Sequence, residues 1–184
     1  YRGCLEQAAA LYQGQLHTLK DGSSLMLFHE RECGEDYLTH AICCGELMRA
    51  LVAARELRLI DKREFDLRAN LLIKTLRNLD LFGGELPNKV YNTKTGQKVD
   101  YANKPGEVGH SVLDIGRMLV WLKILKERYP YLAPGIDATV LRWNFCNIVR
   151  DDGRLFGSVV SGDGDTRYVQ EGRLGYEEYA AKGF

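Results

Sequence analysis

One segment of the chain, residues 111–128, is apolar on almost every side when it is drawn as a helix. A helix that is apolar nearly all round is typical of a buried element, so we expect this helix at the centre of the fold. Its first turn nevertheless contains Asp114. An acid at the start of a buried helix must be hydrogen-bonded, paired or functional. The partial positive charge of the helix N-terminus favours its ionised form.

Apolar residues at helical spacing predict five further helices, over residues 4–20, 35–59, 62–80, about 134–150 with Pro134 in the first turn, and 170–182. Asp61, followed three residues later by Glu64, has the pattern of a capping box and predicts the start of the 62–80 helix. The short apolar run at residues 25–28 has no period that distinguishes a helix from a strand.

Two polar β-hairpins are predicted between the helices. The first pairs residues 90–91 with 99–101 across a turn at residues 93–96, and the second pairs 154–160 with 166–169 across Gly162-Asp163-Gly164. The second turn resembles part of a calcium loop, but it lacks the glutamate that closes such a loop. Its glycines and aspartates are typical of an ordinary turn.

The order helix, hairpin, helix occurs twice, and in each copy the second helix begins with an acid followed by an arginine. These residues are Asp114 with Arg117, and Glu171 with Arg173. Repeated helical pairs that bury a shared face are typical of a solenoid or a closed toroid. The sequence therefore predicts one mainly α domain over residues 1–184, an (α/α) toroid or partial toroid of helical hairpins with two polar β-hairpins at one end. Asp114 and Glu171 would then meet at its mouth.

Composition excludes several classes of function. The 25 basic and 25 acidic residues give a formal net charge of zero, which gives no support to nucleic-acid binding. No apolar run approaches the roughly 18 residues of a membrane span. The five cysteines have no CxxC spacing, so zinc is not expected. We expect no metal and no cofactor.

Three segments, GELPNKVYNTKTG, LDIGR and QEGRLGYEEYAAKGF, resemble an uncharacterised bacterial domain family (domain of unknown function 3131) over roughly residues 46–184. The resemblance implies an (α/α) toroid similar to glycoamylase-like, glucan-active glycoside hydrolases, located in the bacterial periplasm or cell envelope, with an oligo- or polysaccharide as partner. Two departures matter. Ile42-Cys43-Cys44 stand where the family has an acid, and the chain ends where the family continues, which suggests a toroid truncated at its C-terminal end and open to self-association.

Glycoside hydrolysis uses two carboxylates, one protonated and one ionised. The catalytic candidates are Asp114, Glu171 and Glu85. Polar and aromatic side chains near them are the candidates for substrate binding: Asn88, Lys89, Tyr91, Asp100, Arg117, Arg173, Tyr176, Glu177 and Tyr179. Each acid has a structural alternative, such as pairing of Asp114 with Arg117. A non-catalytic carbohydrate-binding or envelope scaffold module, or a purely structural fragment, therefore remains open.

Overall fold

A computed structural model describes residues 15–18, 24–27, 31–33, 36–40, 42–171 and 178–184. Its helices are α1 (Ile42–Glu56), α2 (Lys62–Asn78), α3 (Val112–Arg128), α4 (Ala133–Val140) and α5 (Glu178–Ala181), with a 3-10 turn at Pro130–Leu132. Its strands are β1 (Gln15–Thr18), β2 (Ser24–Leu27), β3 (Arg31–Cys33), β4 (Asp36–His40), β5 (Leu81–Phe82), β6 (Leu86–Pro87), β7 (Val90–Asn92), β8 (Phe156–Val160) and β9 (Thr166–Gln170). The described chain is mainly helical, as predicted.

Helix α3 lies at the centre of the described fold. It contacts α1, α4, α5 and strand β8, and its positions 112, 115, 116, 118, 119, 122 and 125 are buried. Two glycines allow its neighbours to approach at backbone distance. A Cβ on Gly45 of α1 would lie 3.2 Å from Met118 Cα, and a Cβ on Gly116 would lie 2.2 Å from the carbonyl oxygen of Ala180 in α5. The prediction of a buried central helix is confirmed.

Helix α2 begins where the capping pattern predicts. The Asp61 carboxylate accepts a hydrogen bond from the backbone N–H of Glu64 at 2.8 Å. This bond satisfies one of the amides that the first turn of a helix leaves without a partner. The buried face of α2, which includes Phe65, Leu72 and Leu76, packs against α1, α4 and strand β2.

The first predicted hairpin is present but belongs to a larger antiparallel sheet. The amide of Asn92 donates to the carbonyl of Gln97 at 3.0 Å, and Tyr91 bridges to Lys98. On its other side, β7 pairs with β4, which places Val90 opposite His40. The sheet order is β3-β4-β7.

The second predicted hairpin is also present, and it is fixed against the start of α3. Strands β8 and β9 pair from Phe156 opposite Gln170 to Val160 opposite Thr166. The free edge of β8 binds the segment before α3, because the amide of Ser158 donates to the carbonyl of His110 at 2.9 Å. A residue at the end of β9 can therefore reach the first turn of the central helix.

Four predicted helices are wrong in part. Residues 15–18 form a strand rather than the end of a 4–20 helix, whose remaining residues lie outside the described chain. Residues 36–40 form β4, so the 35–59 helix is replaced by a strand and α1. Helix α4 ends at Val140 rather than near Arg150. Gln170 ends a strand, and only residues 178–181 of the predicted 170–182 helix are described as helical.

Among the described helices, none combines the length and the apolar character that crossing a membrane requires. The 25–28 run, which had no clear period, contributes Leu25, Met26 and Leu27 to strand β2.

Candidate functional site

The N-terminus of α3 is the most polar point of the central core. Ser111 is the N-cap residue, and its hydroxyl oxygen accepts a hydrogen bond from the amide of Asp114 at 3.3 Å. A serine followed by a long apolar run is the expected start of a buried helix. The first turn leaves other amide donors unsatisfied and carries a partial positive charge, so it attracts an anionic group.

Glu171 supplies that anion from a distant part of the chain. Its Oε2 accepts hydrogen bonds from the Ser111 hydroxyl at 3.0 Å and from the amide of Leu113 at 3.3 Å. The carboxylate fits because residue 157 has no side chain: a Cβ on Gly157 would lie 2.3 Å from Glu171 Oε1. Glu171 was predicted to open its own helix. It instead follows β9 and contacts the start of α3, beside the first-turn residue Asp114.

Lys89 places a positive charge near this carboxylate. Its Nζ lies 3.9 Å from Glu171 Oε1 and donates a hydrogen bond to the carbonyl of Ser158 at 2.8 Å. Both side chains of the ion pair are less than one-fifth exposed. Lys89 therefore joins the β6–β7 connection, strand β8 and the start of α3 in one polar cluster.

His110 is buried immediately beside this cluster. Its Nε2 lies 3.3 Å from the carbonyl of Phe156, and its Nδ1 lies 2.8 Å from the hydroxyl of Ser158. A carbonyl oxygen only accepts hydrogen bonds, so Nε2 carries the proton and Nδ1 accepts from the hydroxyl. Burial lowers the pKa of His110 below its ordinary value, while the Phe156 carbonyl and the charge of Glu171 act in the opposite direction.

The close approach of strand β8 to this histidine depends on Gly109. Its φ is +104°, and an added Cβ would lie 2.2 Å from the carbonyl oxygen of Ser158. A residue with a side chain would be strained here and would collide with the backbone of β8. Gly109 thus allows the paired hydrogen bonds between residues 110 and 158.

Glu85 lies on the turn between β5 and β6 and binds the loop after α4. Its two carboxylate oxygens accept hydrogen bonds from Asn144 Nδ2 at 3.3 Å and from Asn147 Nδ2 at 3.4 Å. Its carbonyl accepts from the amide of Asn144 at 3.0 Å. The charge of Glu85 also acts on the pKa of His110, which places it in the electrostatic surroundings of the same cluster.

Three of the predicted substrate-binding residues make internal structural contacts. Asn88 is fully buried. Its side-chain Nδ2 donates to the carbonyl of Val90, and its Oδ1 accepts from the backbone amide of Val108. Tyr91 is also buried, and its hydroxyl donates to the carbonyl of Asp80 at 2.7 Å. Its pKa is raised by burial. Asp100 accepts two amide hydrogen bonds within its own turn. These contacts favour a supporting role over ligand binding.

The other predicted site residues divide into two groups. Asp114 and Arg117 lie half-buried in the first two turns of α3, and each takes part in further interactions. Arg173, Tyr176 and Glu177 lie outside the described residues, and Tyr179 is described only as a backbone position in α5. In the described part of the chain, no group of three His, Cys, Asp or Glu side chains is arranged to hold a metal ion.

Sequence reasoning missed the pairing of His110 with Ser158 and the two asparagines that hold Glu85. No local pattern indicates the pairing of His110 with Ser158, because the two residues lie 48 positions apart. The available signal was the glycine directly before His110, since a glycine at such a place indicates a close backbone approach. The Asn-x-x-Asn spacing at 144–147 had no comparable signal.

The described chain is thus a mainly helical domain whose central helix is capped by a carboxylate from a distant hairpin. It belongs to the family described as Protein of unknown function (DUF3131), whose model matches residues 40–184. No curated protein and no solved structure matches the chain. The family description names no activity, so the argument for function depends on the residues themselves.

Proposed function

We propose that this domain processes carbohydrate as a glucan-directed glycoside hydrolase or transglycosylase, with Glu171, Asp114 and Glu85 as its carboxylates. The observation that carries the proposal is the hydrogen bond from the Leu113 amide to Glu171 Oε2, which joins residues 58 positions apart in sequence. It brings Glu171 to the helical turn that contains Asp114. Most glycoside hydrolases cleave the glycosidic bond with a pair of acidic side chains at one site.

The surroundings of the acids suggest different roles for them. Glu171 faces Lys89, the Ser111 hydroxyl and a helix N-terminus, and positive surroundings of this kind favour the charged form of a carboxylate. In the proposal, Glu171 is the ionised base or nucleophile. Asp114 or Glu85 is the acid that protonates the leaving oxygen of the sugar.

The predicted toroid forms part of this proposal. The helices would curl around a common hollow, with the first turns of the inner helices opening on the substrate. Support comes from α3, which is contacted by α1, α4 and α5, carries Asp114 in its first turn and is contacted there by Glu171. An oligo- or polysaccharide is the proposed partner.

The proposal is tested by conservative replacement of each acid. The full chain and its variants Asp114→Asn, Glu171→Gln and Glu85→Gln are incubated with linear and cyclic β-glucans, and products are separated by chromatography. Glu127→Gln is the matched control, because Glu127 lies in the last turn of α3, the helix that contains Asp114, and its side chain is 62% exposed. Loss of products with Glu171→Gln, at an unchanged melting temperature, supports catalysis. Equal product formation by Glu171→Gln and the control contradicts it.

A non-catalytic carbohydrate-binding module is the second candidate, and one observation favours it. Both oxygens of Glu171 face protein groups: Oε2 accepts two hydrogen bonds and Oε1 lies near Lys89, as expected of a carboxylate that holds two segments together. Calorimetric titration with the same glucans distinguishes the two functions. Binding without products in the unmodified chain supports the module and refutes the enzyme.

A further inference from the structure

A concavity lies apart from the proposed catalytic carboxylates, between the loop after α4 and the start of strand β8. Its volume is about 550 Å³, and its lining includes Arg150, Asp151, Asp152, Arg154, Phe156 and Cys146. Ligand pockets in proteins commonly have volumes of ~300–1,000 Å³. Glu85, Asp114 and Glu171 do not line this cleft, so it is a separate candidate site.

Arg150 is held in this cleft by aromatic rings rather than by an acid. Its guanidinium carbon lies 5.0 Å from the ring centroid of Phe156 and 5.5 Å from that of Tyr168. Within the chain that the structure describes, no carboxylate forms an ion pair with it. A cation–π contact of this kind engages the guanidinium without using its N–H donors in an ion pair. Those donors match the two oxygens of a carboxylate or phosphate.

The neighbouring Arg154 also lies over the Phe156 ring, with its guanidinium carbon 5.8 Å from the centroid, but it has an acid partner. Arg154 Nη2 lies 2.5 Å from Asp152 Oδ2, and its Nε donates to the same oxygen. Asp152 therefore already balances its charge. Arg150 is the guanidinium of the cleft that an external anion would meet without first displacing an internal partner.

These ring contacts also reduce the entropic cost of binding. A free arginine side chain loses rotamer entropy when it is fixed. Contact with Phe156 and Tyr168 restricts Arg150 before a ligand arrives. Asp151, which is exposed at the same rim, can accept hydrogen bonds from hydroxyl groups of the ligand. An anionic group next to several hydroxyls is the chemistry of an acidic sugar.

We propose that this cleft binds an acidic saccharide, with Arg150 as the bidentate ligand of its carboxylate or phosphate group. The choice of a saccharide over another oxyanion depends on the proposed function, whereas anion recognition by Arg150 does not. No bond is made or broken at this site, which would serve to hold a charged chain against the domain.

The test compares three probes on the full chain by calorimetric titration: a disaccharide containing glucuronic acid, the corresponding neutral disaccharide, and acetate. We expect the acidic disaccharide to bind at least tenfold more tightly than either of the others. Arg150→Lys should weaken its binding about tenfold, because lysine keeps the charge but loses the bidentate geometry. Arg150→Met should remove the preference, and Arg167→Met, at an exposed arginine of β9, should not.

A chemical readout locates the binding. Cys146 is an exposed free thiol in the cleft, whereas Cys44 is a buried one whose pKa burial raises to about 12. The bound acidic disaccharide should slow the alkylation of Cys146, which is measured by peptide mass spectrometry. Cys44 should stay unreactive with and without the disaccharide. Equal affinity for the acidic and neutral disaccharides, equal binding of acetate, or an unchanged preference in Arg150→Met each overturns the proposal. Loss of products in Glu171→Gln would then leave the proposed function standing.

Discussion

The contact between Gly116 and helix α5 gives the sharpest prediction for stability. A Cβ added at residue 116 would lie 2.2 Å from the carbonyl oxygen of Ala180 and 3.0 Å from the Phe184 ring. The contact is reciprocal, since a Cβ on Gly183 would lie 2.1 Å from the carbonyl oxygen of Gly116. The carbonyl oxygens of Ala180 and Gly116 both belong to the backbone, so no rotation of a side chain relieves either overlap. Gly116→Ala must therefore displace α5 from α3.

Two opposing terms set the size of the effect. Alanine is about 1 kcal/mol more favourable than glycine inside a helix, and this gain applies to residue 116 of α3. Overpacking a close contact costs about 1–3 kcal/mol, and more where the backbone itself must move. Displacing α5 also exposes Ala180, which is fully buried. We expect a net loss of about 1–2 kcal/mol, which in a chain of this size lowers the melting temperature by roughly 2–8 °C.

The assay is thermal unfolding monitored by circular dichroism, with Gly162→Ala as the control. No atom lies within 4 Å of a Cβ at residue 162, so this change should leave the melting temperature unchanged or raise it slightly. The double variant Gly116→Ala/Gly183→Ala should lose less than the sum of the single losses, because α5 moves only once. The reasoning is refuted if Gly116→Ala is as stable as the parent chain while the amide signals of α5 keep their positions.

Three further predictions concern the site and the helix ends. The free energy of unfolding should decrease as the pH falls below about 6.5, by at most ~1.4 kcal/mol per pH unit. Burial lowers the pKa of His110 in the folded chain, so the unfolded chain binds a proton at a pH where the folded chain does not. Urea unfolding at several pH values checks this, and His110→Gln should remove that part of the slope; an identical slope would contradict it. Asp61→Ala should cost about 1 kcal/mol by removing the N-cap hydrogen bond of α2, whereas Asp61→Asn should cost much less in the same assay. Lys89→Met should lower the melting temperature more than Lys123→Met. The reason is that Glu171, the partner of Lys89, is mostly buried, whereas both side chains of the Lys123–Glu127 pair are more than 60% exposed. Equal losses of melting temperature would show that the Lys89–Glu171 pair contributes little.

The parts of the fold that local sequence determines were predictable. Asp61 followed by Glu64 identified the start of α2, and the mostly apolar segment after Ser111 identified α3 and its burial. The glycine-rich turn of the second hairpin, residues 162–164, was equally clear. In each case the residues that form the structure are close together in the sequence.

Strand β4 was not predictable for the opposite reason. It pairs with β7, so that His40 lies opposite Val90, fifty positions further along the chain. The apolar period of the predicted 35–59 helix begins only near Cys44, and residues 36–40 lie between nearby β3 and distant β7, pairing with both. Tertiary pairing of this kind overrides the local preference of a short segment.

The end of α4 has a similar cause. Leu141 and Phe145 continue a helical spacing, but the chain turns after Val140, and the amide of Asn144 binds the carbonyl of Glu85. Leu141 is consequently 83% exposed. In the candidate site, the sequence predicted Asp114 and Glu171 as acids of two separate helices. No feature of the sequence indicated that Glu171 would cap α3, the helix that contains Asp114.

The capping of α3 by Glu171 has a consequence for biosynthesis. A ribosome adds roughly 5–20 residues per second, so the 58 positions between Leu113 and Glu171 correspond to a delay on the order of 3–12 seconds. During that interval the nascent helix lacks the Glu171 carboxylate that accepts from the Leu113 amide, and α5 does not yet cover its apolar face. The start of α3 therefore acquires its second capping group only after the second hairpin has been synthesised.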